Sequence, residues 1–197
     1  MKLLQIVGLS TLALSISSFS QAHEITQGTV EVSGGSSLGL INTSTEFKSS
    51  GSSTIDSTSY NVNFGGSYYV RDNLAIGINQ SFAIDNTEYE DGSEETLTTS
   101  ILAPNISFNL PVNDDASIKF SAGIIFAGQT YEDDIDEADA SGTGYTISAG
   151  LNYFIRENIS LNFTAEIVNY SVEFDDVDVE IQTKGLGLSA SASYYFF

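Results

Sequence analysis

From Tyr60 onward the chain alternates. Tyr60, Val62, Phe64, Tyr68 and Val70 fall at every second position, with Asn61, Asn63, Gly65 and Ser67 between them. A period of two sustained over about ten residues is a β-strand with one apolar face. After Arg71-Asp72-Asn73 the pattern restarts as Leu74, Ile76, Ile78, Phe82 and Ile84. Asp and Asn tolerate the backbone angles of tight turns, so the two runs read as an antiparallel hairpin.

The same hinge returns 85 positions later: YYVRDNLAIGI (68–78) is echoed by YFIRENISLNF (153–163). Between and around the two copies the alternation predicts further strands. Leu102 to Leu110 and Ile118 to Phe126 flank a turn at 111–116, and Tyr145 to Ile155 and Ile159 to Ile167 flank 156–158. A first strand at Val30 to Leu40 and a last at Gly185 to Phe197 bring the number to eight. Short connections (71–73, 111–116, 156–158) alternate with long polar ones (42–58, 86–97, 131–143, 173–183). That is an up-and-down meander with its turns at one end and its loops at the other.

Alternation alone does not say which face meets water. The polar face is built of Ser, Gly, Asn, Ala and Thr, as in Ser189, Ser191 and Ser193. A solvated face carries roughly 25–35% charged residues, and these strands carry almost none. Small uncharged residues suit the interior of an eight-stranded barrel, which side chains just fill. Tyr68, Tyr153, Tyr194 and Phe196 stand beside the short turns, as aromatic rings do at a membrane boundary. A closed barrel leaves no unpaired edge in lipid. The fold class expected is all-β: an eight-stranded antiparallel up-and-down transmembrane β-barrel.

Composition adds an address. Residues 1–22 start with Lys2, run apolar from Leu3 to Leu14 and end on Ser20 and Ala22 at the −3 and −1 places of a cleavage site. They are expected to be an export signal, too short in its apolar run to span a bilayer, leaving 23–197 as the barrel domain. There is no cysteine, which excludes disulfides and thiolate sites. All 26 acids lie after the signal, against Lys48, Arg71, Lys119, Arg156 and Lys184. Such a surface repels nucleic acid, so none is expected as a partner.

Export signal, eight strands, inward turns of the form YYVRDNLAIG and YFIRENISLN, and a terminal Ser-Tyr-Tyr-Phe-Phe together resemble the small Gram-negative outer-membrane β-barrel proteins of the OmpA/OmpX, OmpW and opacity-protein kind. The resemblance implies short turns and both termini in the periplasm, long loops outside, lipid and lipopolysaccharide as surroundings, and a monomer. It also implies recognition by the outer-membrane assembly machinery through Phe197. Tyr195 agrees with that terminal signal, whereas Ser193, Ser191 and Ser189 stand where apolar residues are usual.

Candidate chemistry is sparse. His23, the only histidine, sits at the expected mature terminus and is read as solvated, which leaves a Ser-His hydrolase without its base. Acids crowd the long connections: five in 86–97, six in 131–143 and five in 173–180. They are read as a solvated, self-repelling fringe. Asp133, Asp134, Asp136 and Glu137 are the weak Ca²⁺ candidates, although YEDDIDEADASG lacks the EF-hand ligand order. No cofactor is expected, and divalent cations only at the loops. Glu31, Lys119 and Glu166 fall on the inward face and are read as an ion-pair and hydrogen-bond plug, with a charged pore lining as the other reading. The function expected is a non-enzymatic outer-membrane protein acting in surface interaction, adhesion or envelope integrity. The alternative is a narrow channel for small or hydrophobic solutes.

Overall fold

The computed structural model describes residues 24–38, 57–88, 94–132, 137–174 and 180–197. The expected export signal, His23, Asp133, Asp134 and Asp136 lie outside them, and so does the side chain of Glu137. Eight strands follow one another: β1 (Val30–Leu38), β2 (Ser57–Arg71), β3 (Leu74–Glu88), β4 (Glu94–Asn113), β5 (Ala116–Glu132), β6 (Glu137–Arg156), β7 (Ile159–Phe174) and β8 (Glu180–Phe196). Each pairs antiparallel with its neighbour in sequence, and β1 pairs with β8, so the sheet closes into a barrel with no free edge.

The two faces are inverted relative to a water-soluble protein. Outward stand Phe64, Ile76, Ile106, Ile124, Ile147, Phe163 and Leu186, all exposed; Phe163 is 57% accessible. Inward stand Ser107, Asn109, Ser117, Asn152, Asn162 and Ser193, all buried. Apolar exposure of this extent is a surface made for lipid. Among the described residues no helix is long or apolar enough to cross a membrane; strands do the crossing.

The short turns are tight. Asn73 adopts φ 62° in the β2–β3 turn, a left-handed conformation that asparagine tolerates better than branched residues do. Register slips at Tyr69/Arg71, Pro111/Asn113 and Phe154/Arg156 mark the same short-turn rim. The two copies of the repeated hinge share that slip, but only Asn73, and not its counterpart Asn158, takes a positive φ.

Two expectations are corrected. The strands run farther than the alternation suggested: β3 and β4 stay paired out to Glu88↔Glu94, β5 and β6 to Glu132↔Glu137, and β7 and β8 to Glu173↔Glu180. Many acids assigned to loops thus belong to ladders that continue past the apolar belt, where the outward positions turn polar and the inward ones apolar, so the pattern followed from below changes sides. The interior is also not polar throughout. Toward the long-loop rim, Ala103, Ile125, Ala127, Ala140, Tyr170 and Val172 form a buried apolar cluster, joined by Ile101, Val168, Phe174 and Ile181.

Candidate functional site: the barrel interior

The interior is built in tiers. Nearest the short-turn rim, residues Glu24 to Thr29 fold under the barrel mouth before β1 begins. Ile25 is fully buried there against Tyr69, Ala75, Phe154 and Tyr195. Its backbone is held at both ends: Ile25 N donates to Asn73 Oδ1 at 3.0 Å, and Asn73 N donates to Ile25 O at 2.8 Å. Gln27 N donates to Asp72 Oδ1 at 2.8 Å and Tyr69 N to Thr29 O at 2.9 Å. The segment acts as a cork, and the Asp-Asn of the first hinge serves as its clasp. Alternation gave no sign of it, because the cork lies outside any strand.

Above the cork is a continuous polar network centred on Glu31, whose side chain is 3% exposed. Lys119 Nζ donates to Oε2 at 2.7 Å and to Oε1 at 2.9 Å. Tyr69 OH donates to Oε2 at 3.0 Å, and Ser193 Oγ to Oε1 at 2.9 Å. β1 and β5 stand on opposite sides of the ring, so the ion pair bridges the full lumen. On one side the chain of bonds continues from Asn152 Nδ2 to Asn109 Oδ1 (2.9 Å) and from Asn109 Nδ2 to Tyr69 OH (2.7 Å). On the other, Asn162 Nδ2 donates to Ser193 Oγ at 2.7 Å, and Ser160 Oγ to Asn162 Oδ1 at 2.7 Å. A buried carboxylate is tolerated only when fully paired and hydrogen-bonded, and this one is.

Of the three inward charges read from the sequence, Glu31 and Lys119 come together. Glu166 does not join them; it accepts a hydrogen bond from Thr146 higher in the lumen. Above it sits the apolar cluster, with Val172 at 0% and Ile125 at 1% exposure. Beside that cluster the wall itself is irregular. β4 and β5 pair at Leu102↔Phe126 and at Asn105↔Gly123, but the ladder skips Ala103 and Pro104 between them. Proline has no N–H to donate, which is why it rarely sits inside a sheet.

Residues 9–196 match the family model of the outer membrane protein beta-barrel domain. The chain belongs to that family. It is accordingly an integral outer-membrane protein, and the lipid that its apolar face meets is that of the outer membrane. No curated protein is similar enough in sequence to match. Among solved structures it is similar to the outer membrane protein OprG of Pseudomonas aeruginosa, at 10% identity and a TM-score of 0.59, over 89% of this chain and 99% of that one. It is also similar to Neisserial surface protein A, at 10% identity and a TM-score of 0.58, over 89% and 98%. A third is Ail of Yersinia pestis in complex with the heparin analogue sucrose octasulfate, at 16% identity and a TM-score of 0.54, over 87% and 100%. These likenesses are of fold.

As in any membrane barrel, aromatic girdles flank the belt of this family member. Tyr68, Tyr153 and Tyr194 stand exposed near the short-turn rim, where Asn158 Nδ2 donates to Tyr194 OH at 2.8 Å. Tyr60 and Tyr145 stand exposed toward the other rim. Among the described residues no group of three or more His, Asp or Glu is arranged to hold a metal ion. Of the weak Ca²⁺ candidates, Asp133, Asp134, Asp136 and the side chain of Glu137 lie outside those described.

Proposed function

We propose that this outer-membrane barrel is non-enzymatic and sealed to ions, a rigid base that carries acidic hairpins at the cell surface. In this reading the short turns and both termini are periplasmic and the long hairpins are outside. The observation that carries it is the Glu31–Lys119 pair across the lumen, stacked between the Ile25 cork and the apolar cluster around Val172. Three successive barriers of different chemistry support a closed lumen in this reading. The only histidine in the sequence is His23, which leaves the barrel's serines without an imidazole base, the commonest one.

The acidic hairpins suggest the partner's chemistry. Ail was solved with a polysulfated ligand, whereas a chain with 26 acids and 6 bases would repel one. Cationic protein surfaces, or divalent cations bridging to neighbouring lipopolysaccharide, suit this fringe better. Planar-bilayer recording of the refolded protein tests the seal: a silent membrane is expected, and stable unit steps of conductance would overturn the reading.

One observation favours a second reading, passage of a hydrophobic solute from the upper lumen sideways into lipid. The skipped ladder at Ala103 and Pro104 lies against the same apolar cluster that contains Ala103 and Ile125. Restoring the missing donor with Pro104→Ala would close such a route. Uptake of a fluorescent apolar probe that drops in this variant would support lateral passage; uptake equal to that of an empty membrane would remove it.

A further inference from the structure

The lipid-facing wall has a dent. Across β5 to β8 the outward surface sinks into an apolar groove of about 630 Å³. Its floor is Ala149, Ala165 and Ala190, and its sides are Leu151, Phe163 and Leu188. Ala149 is the cross-strand partner of Ala165, and Ala190 that of Phe163. Small side chains thus meet in a belt otherwise made of Ile, Leu and Phe, and the surface falls by most of a side chain's length.

Four residues along β8 from Leu188, about 13 Å toward the long-loop rim, stands Lys184, exposed and on the same outward face. It is in register with Asn169, which is in register with Tyr145. Asn169 Nδ2 donates to Tyr145 OH at 3.1 Å. Among the described residues nothing takes the second amide hydrogen, the phenolic hydrogen or the three ammonium hydrogens, a donor-rich cluster suited to a phosphate. Among the described residues Lys184 is the one cation on the outward wall of that half of the barrel, and no carboxylate among them pairs with it. Lysines at the ends of spanning segments extend toward the headgroups. Strands of such barrels tilt by about 40°, so about 13 Å along β8 is about 10 Å of depth, and in a hydrocarbon core about 30 Å thick the groove lies among the acyl chains of that leaflet.

We infer that this face binds a single phosphate-bearing lipid of the outer leaflet, of the lipid A class. Its phosphate rests on Lys184, Asn169 and Tyr145, and one acyl chain runs over Ile167 and Leu186 into the alanine groove. The assignment of leaflet rests on the orientation proposed above; the binding itself does not, and the test below is independent of it. The acidic hairpins add a reason for the position. An anionic headgroup is repelled higher on that rim and can approach the wall only at its cation.

The test is native mass spectrometry of the folded barrel released from detergent, with three probes: diphosphoryl lipid A, the same lipid with its phosphates removed, and phosphatidylethanolamine. One diphosphoryl lipid A should be retained per barrel. Lys184→Gln and Ala165→Phe should each cut the retained fraction at least fivefold, the first by removing the cation and the second by filling the groove. Ile76→Phe, on β3 across the ring from β7, should leave it unchanged. All three replacements face lipid, and heat-modifiable electrophoretic mobility reports that each variant is folded. Retention unchanged by both groove variants, or equal retention of the dephosphorylated lipid, would overturn the inference. So would a two-chain mass lost in Ala165→Phe, which would assign the groove to a second copy of this chain.

Discussion

Glu31 and Lys119 are 88 residues apart in sequence, yet Lys119 Nζ lies 2.7 and 2.9 Å from the two carboxylate oxygens of Glu31. Lys119 is 23% exposed and Glu31 only 3%, so the carboxylate bears most of the cost of burial. Removing its partner strands that charge. Lys119→Met is expected to lose about 3 kcal/mol of stability, read by urea unfolding of the barrel in lipid vesicles. The double variant Glu31→Gln, Lys119→Met should regain most of that loss. A double variant as unstable as Lys119→Met would show that the pair is not what matters.

The cork makes a local prediction. Asn73 combines a left-handed backbone with two hydrogen bonds to Ile25. Asn73→Gly keeps the backbone and loses the side-chain bond; Asn73→Ala loses the bond and adds strain of about 1–2 kcal/mol. Hydrogen exchange at the Tyr69 amide, which donates to Thr29 O, should therefore speed up in both variants and more in Asn73→Ala. Equal exchange in the two would mean that the turn geometry does not hold the cork.

Two glycines are expected to behave oppositely. A Cβ at Gly144 would collide with the backbone oxygen of Asn169 and with Tyr170 on β7, whereas one at Gly128 would meet nothing. Gly144→Ala should fail to give the compact, heat-modifiable band of a folded barrel. Gly128→Ala should fold, with a gain of up to about 1 kcal/mol from reduced freedom of the unfolded chain.

At the long-loop rim the backbones of Glu132 and Glu137 are in register across the β5–β6 ladder, a position in which two acids disfavour pairing. Glu132→Gln should raise the thermal midpoint slightly at low ionic strength. The advantage should vanish near 1 M salt, where screening acts within about 3 Å. A gain that persisted in high salt would have to come from packing.

Much of the fold was legible because a strand's side chains alternate strictly. Tyr68 and Ile76, or Phe163 and Ala165, had to face one way and Asn63 and Asn162 the other, and the scarcity of charge on the second face said which side was lipid. The repeated Arg-acid-Asn hinge placed the turns on one rim. Glu31 and Lys119 were recognisable as inward because each falls on the polar register of its strand. Above the lipid belt the apolar residues change sides, to inward positions such as Val168, Tyr170, Val172 and Phe174, and a pattern followed on one face ends there. For that reason the strand ends at Glu88, Glu94, Glu132 and Glu137 were missed, and so was the apolar upper lumen of Ile125 and Val172.

What the sequence determined by itself, then, is periodicity and parity: eight strands, their order, and which side of each meets lipid. Both are local properties of a pleated backbone. Only closure of the ring decided which inward residues share a height and meet across the lumen. That brought Glu31 to Lys119, seated Ile25 under Tyr69 and Tyr195, left the ladder skipped at Pro104, and gathered Ala149, Ala165 and Ala190 into a groove below Lys184. The physical reason is that contacts across a barrel depend on the stagger summed over all its strands, and no single stretch of chain contains that sum.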